Sequence, residues 1–381
     1  MPVNRIIVSV TNDLTGDQRV DRICRTLCEM GFAILLTGRI LPDSGAVTHL
    51  TYDTHRFRLF FRKGPLFYVE FNLRLFFFLL FRKSHLLLAN DLDTLPANRL
   101  AGWIKRQPVV YDSHEYFTEV PELAHRPRVK KTWEHLEKWL VPGVAAAYTV
   151  CQPIADHYTS RYGIPFRVVR NLPEEDRLSP EPAAPAVAFH PEENPEVPDK
   201  TTRPYVIYQG ALNLGRGVEH AIRAMALLPE ADLVIAGGGD LELPLRALAA
   251  SLGLTRVRFT GRLSPAELRP LTRRAALGCS IEEDLGLSYR YALPNKLFDY
   301  IQARIPVVVS NLPEMSRLVT SYDIGLVTPS HDPEQLAACF REALFNRDLR
   351  EKWHLHLEAA ARQLTWACDK PVIHEIFTPF L

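Results

Sequence analysis

The sequence predicts an α/β protein made of two doubly wound parallel sheets, and three observations carry that prediction. Short apolar runs alternate with stretches of helical period along most of the chain, the signature of βαβ units. The alternation stops once, in a proline-rich and acidic stretch, and then resumes. At 381 residues, with 47% hydrophobic and 23% charged residues, the chain is long enough for two buried cores and too long for one typical domain.

The first half offers strands at Ile6–Val10, Ala33–Thr37, His85–Ala89, Val109–Asp112, Ala146–Val150 and Arg167–Val169. From Leu172 to Pro204 there are eight prolines and eight acidic residues with almost no periodicity, which reads as an extended, solvated connection. Beyond it, strands are expected at Tyr205–Tyr208, Leu233–Ala236, Val257–Thr260, Leu277–Ser280, Val307–Ser310 and Gly325–Val327. The expected domains are therefore 1–171 and 205–345, joined by a linker at 172–204. A helical tail, 346–381, has no room for another strand and helix and must pack on something already built. Ligands of such sheets bind beyond the carboxyl ends of the strands, so a cleft between the two halves is the expected site.

Charge and cysteine content exclude several classes. Lys+Arg 45 against Asp+Glu 44 gives a net charge of +1, leaving no global basic field to hold a nucleic acid. The six cysteines lack metal-type spacing and read as reduced, buried thiols. Met1 runs straight into a strand-like segment without the pattern of a secretory leader, so a cytoplasmic location, with the inner face of the membrane as an alternative, is expected.

Three stretches of the second half could carry chemistry. Gln209–Gly217 follows a strand and opens a helix near Val218. Its glycines 210, 215 and 217 let the backbone approach a ligand, and Arg216 beside a helix N-terminus suits a phosphate or diphosphate. An ordinary glycine-rich turn with a solvated arginine remains the alternative. Ile235–Asp240, with Gly238 at its centre, is a second glycine turn. Ile281–Pro306 places Glu282, Glu283 and Asp284 at a strand end, and Pro294-Asn295 starts a helix with Lys296 in its first turn and Asp299 one turn on. Carboxylates there can accept from paired sugar hydroxyls and the lysine can neutralise phosphate; a capped helix and a solvated loop would look the same.

Taken together, the turns at Gly210–Gly217 and 237–240, the Phe259–Arg262 strand end and the Glu-x-x-Gly-Leu run beginning at Glu283 resemble a retaining GT-B glycosyltransferase of family four. The resemblance implies two Rossmann-like domains facing across a cleft, the first for the acceptor and the second for a nucleotide-diphosphate sugar, with C-terminal helices returning to the first. It implies no cofactor beyond that co-substrate, and no metal site is evident. By this resemblance Arg216 grips the donor diphosphate within the loop of Gly210 and Gly217, Glu283 faces the sugar hydroxyls, Asp299 holds the ribose, and Gly286 and Leu287 approach the donor. Three features depart from the family pattern: Ala211 stands where many members carry arginine, the second acid is aspartate, and the two acids lie 16 positions apart instead of the usual eight. Lys296 is then expected to supply the charge missing at 211.

In the first half, Thr11–Val20 resembles the family's N-terminal loop, with Gly16 at its turn. Asn90–Asp93 and Tyr111–Glu115 also end strands. Asp91, Asp93 and Asp112 read either as caps or as site acids, and His114 as a catalytic candidate that orients a hydroxyl, or as a structural histidine.

His55–Lys83 holds nine of the 19 phenylalanines and seven Lys or Arg residues against one acid, Glu70. Its longest uncharged run is far below the roughly 20 residues needed to span a bilayer. It reads either as a core helix with a basic loop or as a peripheral contact with an anionic membrane that brings a lipid-linked acceptor. The expected activity is sugar transfer to a glycan or lipid-linked acceptor in cell-surface polysaccharide or glycoconjugate assembly. A nucleotide-sugar epimerase and a catalytically silent nucleotide-sugar-binding protein are the alternatives.

Overall fold

The computed structural model of the protein describes residues 4–42, 44–47, 50–124, 126–175 and 203–381. Most of the expected linker, 176–202, lies outside the described residues. The chain divides into two compact units. The first takes the described residues of Met1–Asn171 with Gly286–Ser288 and Ala367–Leu381, and the second those of Leu172–Leu285 and Tyr289–Trp366. In the tail, the helix Arg347–Gln363 thus belongs to the second unit, and nearly all of the helix Trp366–Phe377 to the first.

The first unit is a seven-stranded sheet of β1 (Arg5–Ser9), β2 (Ala33–Arg39), β3 (Asp53–Phe57), β4 (Leu86–Asn90), β5 (Val109–Ser113), β6 (Ala146–Thr149) and β7 (Phe166–Val168), in the order β3-β2-β1-β4-β5-β6-β7 with every pairing parallel. Strands β4 and β5 are wholly buried, as central strands of a parallel sheet covered on both faces must be. Strand β3 was not expected. It is an edge strand with only Phe57 buried and carries Asp53 and Arg56, so it has none of the apolar patterning that marks an interior strand. The helix Gln18–Glu29 starts where the Asp17 side chain accepts from the Val20 amide at 3.1 Å, and it buries Val20, Ile23, Cys24 and Leu27 at helical spacing. The C-terminal helix is fixed by Asp369, which accepts from the Arg170 amide at 2.6 Å and its guanidinium at 2.6 Å, while Ile373 and Phe377 are buried.

The second unit is a six-stranded parallel sheet of β8 (Tyr205–Gln209), β9 (Asp232–Ala236), β10 (Val257–Gly261), β11 (Leu277–Ser280), β12 (Val307–Ser310) and β13 (Gly325–Thr328), ordered β10-β9-β8-β11-β12-β13. Its interior is built from continuous apolar runs such as Val307-Val308-Val309. One buried tyrosine registers the helix Asn295–Gln302 on this sheet. The Tyr300 hydroxyl lies 3.1 Å from the Ile207 carbonyl and 3.3 Å from that of Cys279, and accepts from the Gln209 amide at 3.1 Å. Its ring lies over Gly278, where a Cβ would come within 2.4 Å of it.

Both sheets reverse their winding at one place, between β1 and β4 in the first and between β8 and β11 in the second. Loops at the carboxyl ends of such neighbours splay apart and leave a crevice where open α/β sheets bind ligands. The loops 10–17 and 91–93 lie at one reversal, 210–217 and 281–286 at the other.

Candidate active site

Three backbone turns meet at the second reversal. Gly210 (φ +135°) leaves β8 with its amide donating to Ala236 at 2.9 Å. A Cβ on Gly237 (φ +154°) would fall 1.8 Å from the Gly210 carbonyl oxygen, and one on Gly217 (φ +72°) 1.9 Å from that of Ile281. Only glycine satisfies both the left-handed backbone and that closeness. The demand in the second glycine turn thus falls on Gly237, and on Gly239, whose Cβ would meet the Leu212 carbonyl at 2.6 Å; Gly238 has no positive φ, and its Cβ would meet the Arg262 side chain at 3.1 Å. The Glu283 amide donates to Gly215 at 2.9 Å, binding the acidic loop to the glycine loop.

This packing brings Arg216 and Lys296 to one carboxylate, and it is Glu282. Its Oε1 lies 2.7 Å from Lys296 Nζ and 4.0 Å from an Arg216 guanidinium nitrogen, and its Oε2 accepts from Ser280 Oγ at 2.8 Å. Glu282 is fully buried and Lys296 nearly so. Burial would push the Glu282 carboxyl up, but Lys296, the Ser280 hydroxyl and Arg216 overcome it and hold the group below its ordinary value. Burial likewise works against the Lys296 ammonium, and Glu282 outweighs it, so the lysine stays charged. Lys296 also stands 4.0 Å from the Tyr208 ring centroid, and Arg216 4.9 Å from that of Tyr289. Two cations share one anion, so the cluster carries a net positive charge, and the buried Arg216 Nε has no protein acceptor. The helices Val218–Met225 and Asn295–Gln302 both begin here without a side-chain cap, which leaves amide donors and the positive ends of two helix dipoles at the same place.

The two acids singled out in the sequence sit apart from this cluster. Asp299 accepts from Gln209 Nε2 at 2.8 Å, and Gln209 Oε1 accepts from Thr272 at 2.7 Å, a relay that fixes the orientation of the carboxylate. Glu283 lies 3.6 Å from His220 Nε2, whose ring packs at 4.9 Å against His331; His331 Nε2 in turn lies 3.1 Å from the Ile281 carbonyl. Gly286 (φ +135°) turns the chain into the short helix Leu287–Arg290, and both Gly286 and Leu287 group with the first unit. His220 and His331 are site features that no motif singles out, and Gln209 was marked only as the start of the glycine loop.

At the first reversal, Asp112 receives Arg19 through two guanidinium nitrogens at 2.8 and 3.2 Å, both side chains being buried. His114 bridges two carboxylates, with Nε2 3.1 Å from Asp112 and Nδ1 3.4 Å from Asp91, while its amide donates to Asp91 at 2.9 Å. Burial would depress the histidine, yet the two carboxylates push it up to about 10. Asp112 is carried the other way, to about 2: burial opposes its charge, and Arg19 and His114 overcome that cost. Asp91 is pushed up to about 7 and Asp93 to about 6, in both cases mainly by burial. Asp112 is thus an ion-pair partner and not a helix cap. Asp93 accepts from Thr11 at 2.7 Å, and its second oxygen is buried with no hydrogen-bond partner. Gly16 has open space where a Cβ would stand and no positive φ, so nothing in its surroundings requires glycine. Among the described residues, no group of three or more His, Cys, Asp or Glu side chains could hold a metal ion.

Two Rossmann-like parallel sheets, seven- and six-stranded, are the architecture of the GT-B fold. The chain belongs to the glycosyl transferases group 1: that family's model matches residues 190–356, and a glycosyl transferase 4-like domain matches residues 16–173. Among curated proteins it is similar to an alpha-D-kanosaminyltransferase of Streptomyces kanamyceticus, 28% identical over 39% of each chain. It is also similar to a phosphatidyl-myo-inositol mannosyltransferase of Mycobacterium leprae, 27% identical over 40% of this chain and 39% of that one. The chain therefore matches about two fifths of the length of these relatives. Among solved structures, Anabaena HepE in complex with UDP and glucose superposes with a TM-score of 0.77 at 16% identity, covering 99% of this chain and 100% of that one. WaaG, a glycosyltransferase involved in lipopolysaccharide biosynthesis, gives 0.71 at 16% identity over 97% and 99%. At these identities the likeness shows the fold.

Proposed function

We propose that the protein is a retaining glycosyltransferase that takes a sugar from a nucleotide-diphosphate donor to a glycan or lipid-linked acceptor in cell-surface polysaccharide or glycoconjugate assembly, working on the cytoplasmic side. The observation that carries this reading is the Arg216–Lys296–Glu282 cluster at the β8/β11 reversal. A net positive, largely buried cluster with an unsatisfied guanidinium nitrogen beside two uncapped helix starts suits a diphosphate. The UDP and glucose named in the HepE complex support a nucleotide-sugar donor.

In the reaction, the bond from the sugar's anomeric carbon to the diphosphate oxygen breaks and a bond to the acceptor oxygen forms on the same face. The departing diphosphate takes the acceptor's proton. Charge accumulates on the leaving group, where Arg216, Lys296 and the helix N-termini lower its energy, and such preorganised stabilisation is commonly the largest catalytic contribution. Asp299, oriented through Gln209, accepts from ribose hydroxyls in this reading. Glu283 is the acid for the sugar hydroxyls, and His114, held protonated by two carboxylates, acts as a hydrogen-bond donor. Gly210 and Gly217 shape the donor pocket.

A thermal-shift screen of nucleoside diphosphates, followed by assay of nucleotide release from the matching sugar donor with and without acceptor extract, tests the reading. Stabilisation with acceptor-dependent release supports it. Conversion of the donor sugar without any acceptor would make the protein an epimerase, and binding without release would make it a silent nucleotide-sugar-binding protein.

A further inference from the structure

The helix Pro65–Phe81 has two apolar stripes on opposite faces. Phe67, Phe71, Leu75 and Leu79, each four residues on from the last, are buried, the helix packing along the helix Leu95–Lys105 and Phe71 meeting Phe57 of β3 edge-on. Val69, Leu73, Phe77 and Phe81, at the same spacing but displaced by two residues, stand 55%, 54%, 53% and 81% exposed. The positions of a surface helix that ordinarily carry lysine and glutamate here carry valine, leucine and phenylalanine, so the sequence is built for an apolar environment on both sides. At 1.5 Å per residue the outer stripe is about 18 Å long. The preceding loop joins it: Glu70 accepts from the amides of Phe60 and Phe61 at 2.9 Å each, holding two exposed aromatic rings beside the stripe.

Charge identifies what covers this face. Arg58, Arg62 and Lys63 before the helix, and Arg82 and Lys83 after it, are all exposed. The one acid of the segment, Glu70, is occupied by the two amides and by Arg74 at 2.8 Å. An apolar stripe with cations at both ends matches an anionic bilayer, in which side chains enter the acyl boundary and the cations meet phosphate headgroups. A second copy of the same surface would set like charges against each other. No helix among the described residues is long and apolar enough to cross a membrane.

We propose that the face formed by Phe60, Val69, Leu73, Phe77 and Phe81, framed by Arg58–Lys63 and Arg82-Lys83, docks on an anionic lipid surface. This deepens the functional reading above, since a lipid-linked acceptor would be met there, but its test needs no turnover.

The full chain is sedimented, without donor, with vesicles of phosphatidylcholine alone and with an equimolar mixture of phosphatidylcholine and phosphatidylglycerol. It is expected to pellet with the mixture and not with phosphatidylcholine alone. Phe77→Ser/Phe81→Ser and Arg82→Glu/Lys83→Glu each weaken binding at least about tenfold, whereas Arg347→Glu, exposed on the second unit, leaves it unchanged. All four replaced side chains are exposed, Phe77 about half so, and thermal unfolding of each double variant shows that the fold is kept. Full retention of wild-type protein in the supernatant overturns the proposal, as does undiminished binding by either double variant. A dimer that Phe77→Ser/Phe81→Ser dissolves, without any vesicle binding, assigns the face to self-association and overturns it equally.

Discussion

Replacing Lys296 by methionine removes the cation from a fully buried carboxylate and keeps the length of the side chain. Glu282 then retains only the Ser280 hydroxyl and Arg216 at 4.0 Å. Breaking a buried pair by removing one partner costs about 3–5 kcal/mol, and the remaining guanidinium places the loss toward the lower end. For a unit of this size each kcal/mol moves the midpoint by about 2–4 °C, so the unfolding temperature should fall by ~6–20 °C. The pH dependence gives a sharper check. In the parent, Glu282 is held below its ordinary value of 4.5, so its contribution is complete above 4.5 and is lost as the pH falls through the lower folded value. In Lys296→Met, burial is less opposed and the carboxyl moves up, so that the deficit opens as the pH rises above 4.5. Both effects make the gap between parent and variant narrow on acidification. Urea unfolding at neutral pH and near pH 5 measures it, and Lys296→Met/Glu282→Gln should recover most of the loss because no buried charge is left alone. A single variant within about 1 kcal/mol of the parent, or a double variant no better than the single, would refute the account of this cluster.

Arg216→Ala should weaken nucleoside diphosphate binding by about tenfold to a hundredfold, the worth of a charge-assisted contact, with little change in stability, as read by calorimetry. Asp299→Asn keeps the shape but loses an acceptor for ribose hydroxyls; a nucleotide-binding assay should show weaker binding of the nucleoside diphosphate with little change for pyrophosphate. Gly217→Ala forces a Cβ to within 1.9 Å of the Ile281 carbonyl at φ +72° and should cost more than about 2 kcal/mol in urea unfolding. His114, raised to about 10 from an ordinary 6.5, stabilises the folded state fully below pH 6.5, and that stabilisation is lost as the pH rises through about 10. Unfolding midpoints measured across that range should decline in the parent and much less in His114→Gln.

The sheets were legible in the sequence because interior parallel strands must be apolar on both faces, and runs such as Val307–Val309 or Leu86–Ala89 admit few other readings. The same physics hid β3, whose solvent-facing residues need no such pattern. The glycine loop was legible for a related reason: Gly217 has neighbours that exclude a Cβ, whereas Gly16 has none, and a glycine in sequence does not announce which case it is. The helix Pro65–Phe81 shows a further limit. Its composition suggested both a core and a membrane role, and only the burial pattern separates a buried apolar stripe from an exposed one.

The acidic loop is the most instructive case. Glu282, Glu283 and Asp284 are consecutive carboxylates, and nothing local separates their roles. What separates them is distant in sequence: Lys296, 14 residues on, is delivered to Glu282 by a helix whose register is set by Tyr300 on β8 and β11. That delivery bears on position 211, where the resemblance implies an arginine and this chain has Ala211. Lys296 Cε lies 3.7 Å from where a Cβ on Gly210 would stand, so the lysine occupies the space beside the loop position that here is alanine. A cation arriving from the neighbouring helix needs a fixed anion to hold it in a buried site before ligand arrives, and Glu282 supplies that anion. Under the proposed function, the buried Lys296–Glu282 pair is the arrangement that presents positive charge to the donor diphosphate, and the longer spacing between Glu283 and Asp299 goes with it.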